Sequence, residues 1–191
     1  RLIADYPESQ YLDDALYEQG RAFVQMEDHT NAINRFNILL KKFPESNMAR
    51  RAANEIGLLY YQGDKYPEAI QAYKQVITNY PGSEEARLAQ RDLKSIYIDL
   101  NKVDEYANFA STIPGGANFD VNERDSLTYV AAERVYMRGE IDEARNSFTH
   151  YLQTFPEGAF SLNANYYVGL IDYNRKAYNS AIEHLDKVLA Y

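Results

Sequence analysis

The 191-residue sequence has no cysteine, no tryptophan, only six prolines and only three histidines. Without cysteine there can be no disulfide, thiolate nucleophile or cysteine-bearing zinc site, although cytosol and periplasm both accommodate such a chain. The histidines, His29, His150 and His184, form no His-x-x-x-His pair, so common metal arrangements are not predicted. Long apolar runs are missing too. Ile56 to Tyr61 and Tyr166 to Ile171 are among the longest, far short of the ~20 residues that span a bilayer. Positive charge is scarce: 20 Lys+Arg against 28 Asp+Glu give a net charge of −8, which repels phosphate backbones, so nucleic acid is not expected as a partner. No Gly-x-Ser-x-Gly elbow, Walker loop or dinucleotide fingerprint occurs. Asp13-Asp14 is the nearest thing to an acid pair, but adjacent helical residues point about 100° apart, and acids near a helix start favour its dipole. No catalytic, cofactor-binding or metal-binding residue is therefore predicted, and the chain reads as non-enzymatic.

What the chain does have is tyrosine, 18 of them, within an ordinary globular composition of 46% hydrophobic and 25% charged residues. It also has a repeat. An aromatic-proline pair recurs at Tyr6-Pro7, Phe43-Pro44, Tyr80-Pro81 and Phe155-Pro156, with a period near 37. Alanine recurs at Ala32, Ala69, Ala107, Ala144 and Ala181, and twelve residues before each stands a small residue: Gly20, Gly57, Ser95, Ala132 and Gly169. Four residues after those alanines come Phe36, Tyr73, Ser111, Phe148 and Leu185, large and apolar in all but the third. Such spacing predicts helix hairpins, with small residues where two backbones cross and bulky ones filling the space beside them. Ser9 and Ser46 are placed to cap first helices. Gln62-Gly63-Asp64-Lys65 supplies a break, and Pro81 stops the second helix of its unit. The pattern fails between Thr112 and Asn122, where Phe119 stands in the place of proline and Pro114-Gly115-Gly116 ends a helix early; the expectation is one degenerate repeat with a loop.

This pattern resembles the tetratricopeptide repeat family, whose 34-residue unit has a small residue eighth, alanine twentieth, an aromatic twenty-fourth and proline thirty-second. Gly20, Gly57 and Gly169 match the eighth place, the alanines the twentieth, Phe36, Tyr73 and Phe148 the twenty-fourth, and Pro44, Pro81 and Pro156 the thirty-second. The resemblance implies an all-α fold, a right-handed superhelical solenoid of about five hairpins near residues 9–44, 46–81, 83–114, 121–156 and 158–191, the third degenerate. The chain reads as one solenoid cut from a longer array. Leu2 and Ile3 at one end and Leu185, Val188 and Leu189 at the other are expected to be exposed and to favour self-association. The stretch Tyr6 to Tyr17 and its 37-residue step are similar to repeats of Gram-negative envelope proteins. That likeness implies a periplasmic or outer-membrane-associated setting, with the cytoplasm left open.

In tetratricopeptide solenoids the first helices line a concave groove, which by that resemblance falls here to Tyr17, Arg21, Arg51, Asn54, Tyr61, Tyr129, Tyr136, Tyr166 and Tyr173. Tyrosine offers a rigid ring with a polar tip, suited to holding a peptide or partner helix. The same rings could instead fill space between adjacent first helices. The family's clamp for C-terminal carboxylates is absent, since Tyr17, Arg21, Glu55, Ala89 and Leu93 stand in its places. The expected function is a protein-binding module using the tyrosine-rich groove. The alternatives are an architectural spacer or a regulatory domain fused to an enzyme.

Overall fold

The computed structural model describes residues 11–115 and 119–190. Among these residues it contains ten α-helices and no strand: α1 (Leu12–Gln25), α2 (His29–Lys42), α3 (Asn47–Gln62), α4 (Tyr66–Asn79), α5 (Glu84–Asp99), α6 (Val103–Ala110), α7 (Val121–Met137), α8 (Ile141–Thr154), α9 (Ser161–Asn174) and α10 (Tyr178–Leu189). Successive helices are joined in pairs, α1–α2, α3–α4, α5–α6, α7–α8 and α9–α10, each through a tight turn. The fold is all-helical, as expected. The chain forms two compact units that divide between Leu93 and Lys94. Leu2, Ile3, Tyr6, Pro7, Ser9 and Gly116 lie outside the described residues.

Helix ends are set locally. Ser46 Oγ accepts the Met48 N–H at 3.1 Å, Ser83 Oγ that of Ala86 at 3.1 Å, and Asp28 that of Asn31 at 3.1 Å, each meeting a donor that the first helical turn leaves unpaired. Phe43, Tyr80 and Phe155 each leave the helical conformation immediately before proline, because the following ring disfavours the α region. Inside every hairpin one residue takes a left-handed conformation: Glu27, Asp64, Asn101, Gly139 and Lys176, with φ between 55° and 81°. The next N–H reaches the carbonyl five residues back, as Lys65 does to Tyr60 at 2.9 Å and Ala177 to Asp172 at 2.8 Å. This closes the first helix and reverses the chain. In the break expected at residues 62–65 the left-handed residue is Asp64, whereas Gly63 has φ −89°.

The helix crossing is where the small-large pattern places it. A Cβ on Gly20 would lie 2.3 Å from the Phe36 ring, one on Gly57 2.6 Å from the Tyr73 ring, and one on Gly169 2.7 Å from Leu185. The bulky side chain of the second helix rests directly on the glycine of the first. Around these crossings each unit builds its own core: Leu16, Phe36, Leu39, Ala52 and Ile56 in the first, Ala132, Phe148, Tyr151, Val168 and Ile171 in the second. In the third hairpin Ser111 offers nothing to fill the crossing, and α6 has only 8 residues. Phe119, expected at the proline place, instead packs edge-on to Tyr106 with ring centres 5.3 Å apart.

Polar ties join successive hairpins within each unit. Asp13 accepts from Ser46 Oγ at 2.6 Å, so this acid is fixed by a structural partner. Its counterpart in α7, buried Asp125, accepts the Tyr151 hydroxyl and, at 2.8 Å, the Ala159 N–H. Asp172 is 1% exposed and binds Arg145 Nε and Nη2 at 2.5 and 2.9 Å and Ser180 Oγ at 2.6 Å. Those bonds hold its carboxyl below the usual range. A buried carboxylate left without them would be costly.

Candidate binding face on the first helices

Tyr17 and Tyr129, expected as groove anchors, are 3% and 5% exposed. They are corrected to packing residues, because neighbouring side chains cover their rings, Phe36 and Arg51 over Tyr17 and Phe160 over Tyr129. Tyr17 lies 5.9 Å from Phe36 with the Arg51 guanidinium 5.0 Å from its ring centre, and burial pushes its phenol up. Tyr129 stacks on Phe160 at 4.5 Å with an interplanar angle of 7°. Arg21 is exposed and Asn54 half-buried; Asn54 Oδ1 is a buried acceptor without a hydrogen bond among the described residues. Tyr61 is half-buried, 6.1 Å from Tyr66. In the first unit, therefore, the expected site residues that remain accessible form no continuous aromatic surface.

The second unit differs. Tyr166 is 49% exposed and Tyr173 59% exposed, both on α9, and half-buried Tyr136 on α7 stands beside them through Tyr167. The Tyr136 and Tyr167 ring centres are 4.8 Å apart, and those of Tyr166 and Tyr167 are 6.1 Å apart. Tyr173 meets Tyr178 of α10 at 5.8 Å. Tyr167 and Tyr178 were not foreseen as site residues. Tyr167 lies flat on Phe148, centres 4.7 Å apart, and donates its hydroxyl to Glu133 at 3.4 Å. Tyr129 donates to the same Glu133 oxygen at 3.1 Å. Burial and the Glu133 charge push both phenols above their ordinary range, so both remain donors at neutral pH. Glu133 follows Tyr129 by four residues, a spacing that puts both on one helix face. That signal was present in the sequence. The meeting with Tyr167, contributed by another hairpin, was not.

This arrangement presents ring faces and one carboxylate, and it is a surface rather than a cleft. A cavity of about 610 Å³ in the first unit lies against Leu40, Pro44, Ile56 and Tyr80. One of about 410 Å³ in the second lies against Asp104, Glu143 and His150. Neither is lined by any of the nine residues expected to form the groove. Among the described residues no three His, Asp or Glu side chains gather to hold a metal ion, and no helix is long and apolar enough to cross a membrane. At the far end Ile182 and Leu189 are exposed on α10, as the sequence led us to expect for Leu189, while Leu185 and Val188 are half-buried.

A chain built of helix hairpins with a small residue under each bulky one is a helical-repeat protein. Its residues 17–84 match the tetratricopeptide repeat family model, a stretch running from α1 into the start of α5. No curated protein matches the sequence. Among solved structures, MamA from Desulfovibrio magneticus is similar at 10% identity over 94% of each chain, with a TM-score of 0.45. YrrB, described as a tetratricopeptide repeat protein with an unusual peptide-binding site, is similar at 14% identity over 98% of this chain and 89% of its own, with a TM-score of 0.44. A tetratricopeptide repeat protein from Parabacteroides merdae aligns at 14% identity over 94% of this chain and 66% of its own, with a TM-score of 0.46. At these identities and scores the likenesses carry no assignment of partner or activity.

Proposed function

We propose that the protein is a non-enzymatic protein-binding module whose second unit receives a peptide or partner helix on the first-helix face of α7 and α9. The observation that carries this reading is the exposure of Tyr166 and Tyr173 beside Tyr136. Large aromatic rings left half in solvent on a rigid helix are contact area that costs little conformational entropy when a partner arrives. A surface without a deep cleft suits a polypeptide better than a small molecule. The tetratricopeptide match over residues 17–84 supports an interaction role. The Gram-negative envelope setting rests on the short motif from Tyr6 to Tyr17 alone.

The test pans a peptide phage library on the chain and measures the selected peptides on Tyr166→Ala and Tyr173→Ala. Both side chains are exposed, so the variants should keep the wild-type circular dichroism. Affinity should fall by about tenfold or more in one or both. Peptides that bind both variants as tightly as wild type would place recognition elsewhere. A second reading, self-association as an architectural segment, is favoured by Ile182 and Leu189 on α10. It predicts a mass that rises with concentration in light scattering and falls back in Ile182→Lys.

A further inference from the structure

Glu133 is the one feature of this face that packing leaves unexplained. It is half-buried, and two phenols from different helices, Tyr129 and Tyr167, converge on its Oε1. Its Oε2 takes no hydrogen bond from any described residue. Among the described residues no basic side chain of the second unit pairs with it; Lys94, Lys102 and Lys187 pair with Glu123, Glu105 and Glu183. Arg124, Arg134, Arg138, Arg145 and Arg175 are paired with Asp104, Asp99, Glu140, Asp172 and Asp142 respectively. The sequence from residue 96 onward is also the acidic half, with 8 Lys+Arg against 14 Asp+Glu. A carboxylate fixed by two donors, uncompensated, and joined to Tyr167, whose ring neighbours Tyr136 and exposed Tyr166, has the chemistry of a cation receptor: charge with ring faces close by.

The geometry points to a lysine side chain of the bound polypeptide as the group this site recognises, an inference that rests on reading the face as a recognition surface. Arginine is the poorer fit. Its planar fork wants both oxygens of a carboxylate, and Oε1 is already shared by two phenols. A lysine ammonium needs only Oε2 as its charged acceptor, while its methylene stem lies along the tyrosine rings. The phenols hold the carboxylate in place before the ligand arrives, which lowers the ordering cost of binding.

The experiment follows tyrosine ring resonances by NMR while N-acetyl-lysine methylamide, N-acetyl-norleucine methylamide or N-acetyl-arginine methylamide is added to the whole chain. Wild type, Glu133→Gln and Glu157→Gln are compared. Glutamine at 133 keeps an acceptor for the two phenols, and Glu157 is an exposed acid in the loop after α8, so its variant removes the same charge elsewhere. The lysine compound should shift Tyr136, Tyr166 and Tyr167, bind more tightly than the other two, and weaken by about five- to tenfold in Glu133→Gln only. Equal shifts with norleucine, equal weakening in both variants, or no shift with lysine would each overturn the inference. Selected phage peptides that depend on Tyr166 but not on Glu133 would remove the lysine site and leave the binding face standing. Peptides indifferent to Tyr166 would remove the face itself.

Discussion

Gly57→Ala adds a single methyl group at the crossing of α3 and α4, and its cost follows from how closely the helices pack there. The new Cβ would stand 2.6 Å from Tyr73 Cε1 and 2.7 Å from Cδ1, closer than carbon atoms approach without displacement, so the ring must move by about half an ångström or more. Tyr73 is fully buried, and its hydroxyl donates to Asp92 at 3.3 Å, so the movement disturbs both the core and that bond. Overpacking of this kind costs about 1 to 3 kcal/mol, and the weakened hydrogen bond adds up to about 1 kcal/mol. Alanine in a helix returns about 1 kcal/mol relative to glycine. These contributions sum to a loss of about 0 to 3 kcal/mol, centred near 1 to 2 kcal/mol. The control is Gly63→Ala at the end of the same helix, where the Cβ would sit 3.4 Å from the Leu59 carbonyl oxygen and the change should stay within about 0.5 kcal/mol. Urea unfolding by circular dichroism gives the overall loss. Hydrogen exchange in α3 and α4 localises it, which matters because repeat arrays need not unfold in one step. If Gly57→Ala is as stable as Gly63→Ala, with unchanged exchange, the glycine is not where the helices meet closest and the hairpin argument fails.

Two further outcomes follow from the turns and from the buried ion pair. Glu27 and Lys176 hold φ of 58° and 63°, where a Cβ costs about 1 to 2 kcal/mol and glycine gives back part of the gain through the freer unfolded chain. Glu27→Gly and Lys176→Gly should each stabilise by about 0.5 to 1 kcal/mol in thermal melts, Asn101→Gly should gain less, and no gain at either of the first two would contradict the turn geometry. Asp172, its carboxyl held down by Arg145, contributes stability that is present above its unfolded pKa and lost as pH falls through the lower folded value. The wild type should therefore lose stability relative to Asp172→Asn below about pH 4. At neutral pH the variant should be about 2 to 3 kcal/mol less stable, and parallel pH profiles for the two proteins would refute the assignment.

The hairpins were legible because their determinants are local. Small and bulky residues sixteen apart, Gly20 with Phe36 and Gly57 with Tyr73, are brought together by two helices and one turn, so the chain itself carries the distance. Ser46 and the prolines after Phe43, Tyr80 and Phe155 act within one helical turn for the same reason. The degenerate third hairpin was visible in Ser111, which lacks the volume to fill a crossing.

The binding face was less legible, because helix position says which side a tyrosine faces but not what its neighbours leave uncovered. Tyr17 and Tyr129 occupy the same repeat place as Tyr166, yet only Tyr166 is exposed. Phe160 lies flat on Tyr129, whereas Tyr17 is closed over by Phe36 and Arg51. Glu133 gained its meaning only when Tyr167, from the next hairpin, reached its carboxylate. The sequence by itself determined the helices, their pairing and their crossing points, since these depend on contacts within one hairpin. Which tyrosines stayed in solvent, and which carboxylate was left without a cation, only the tertiary structure decided, because both depend on how one hairpin stacks on the next.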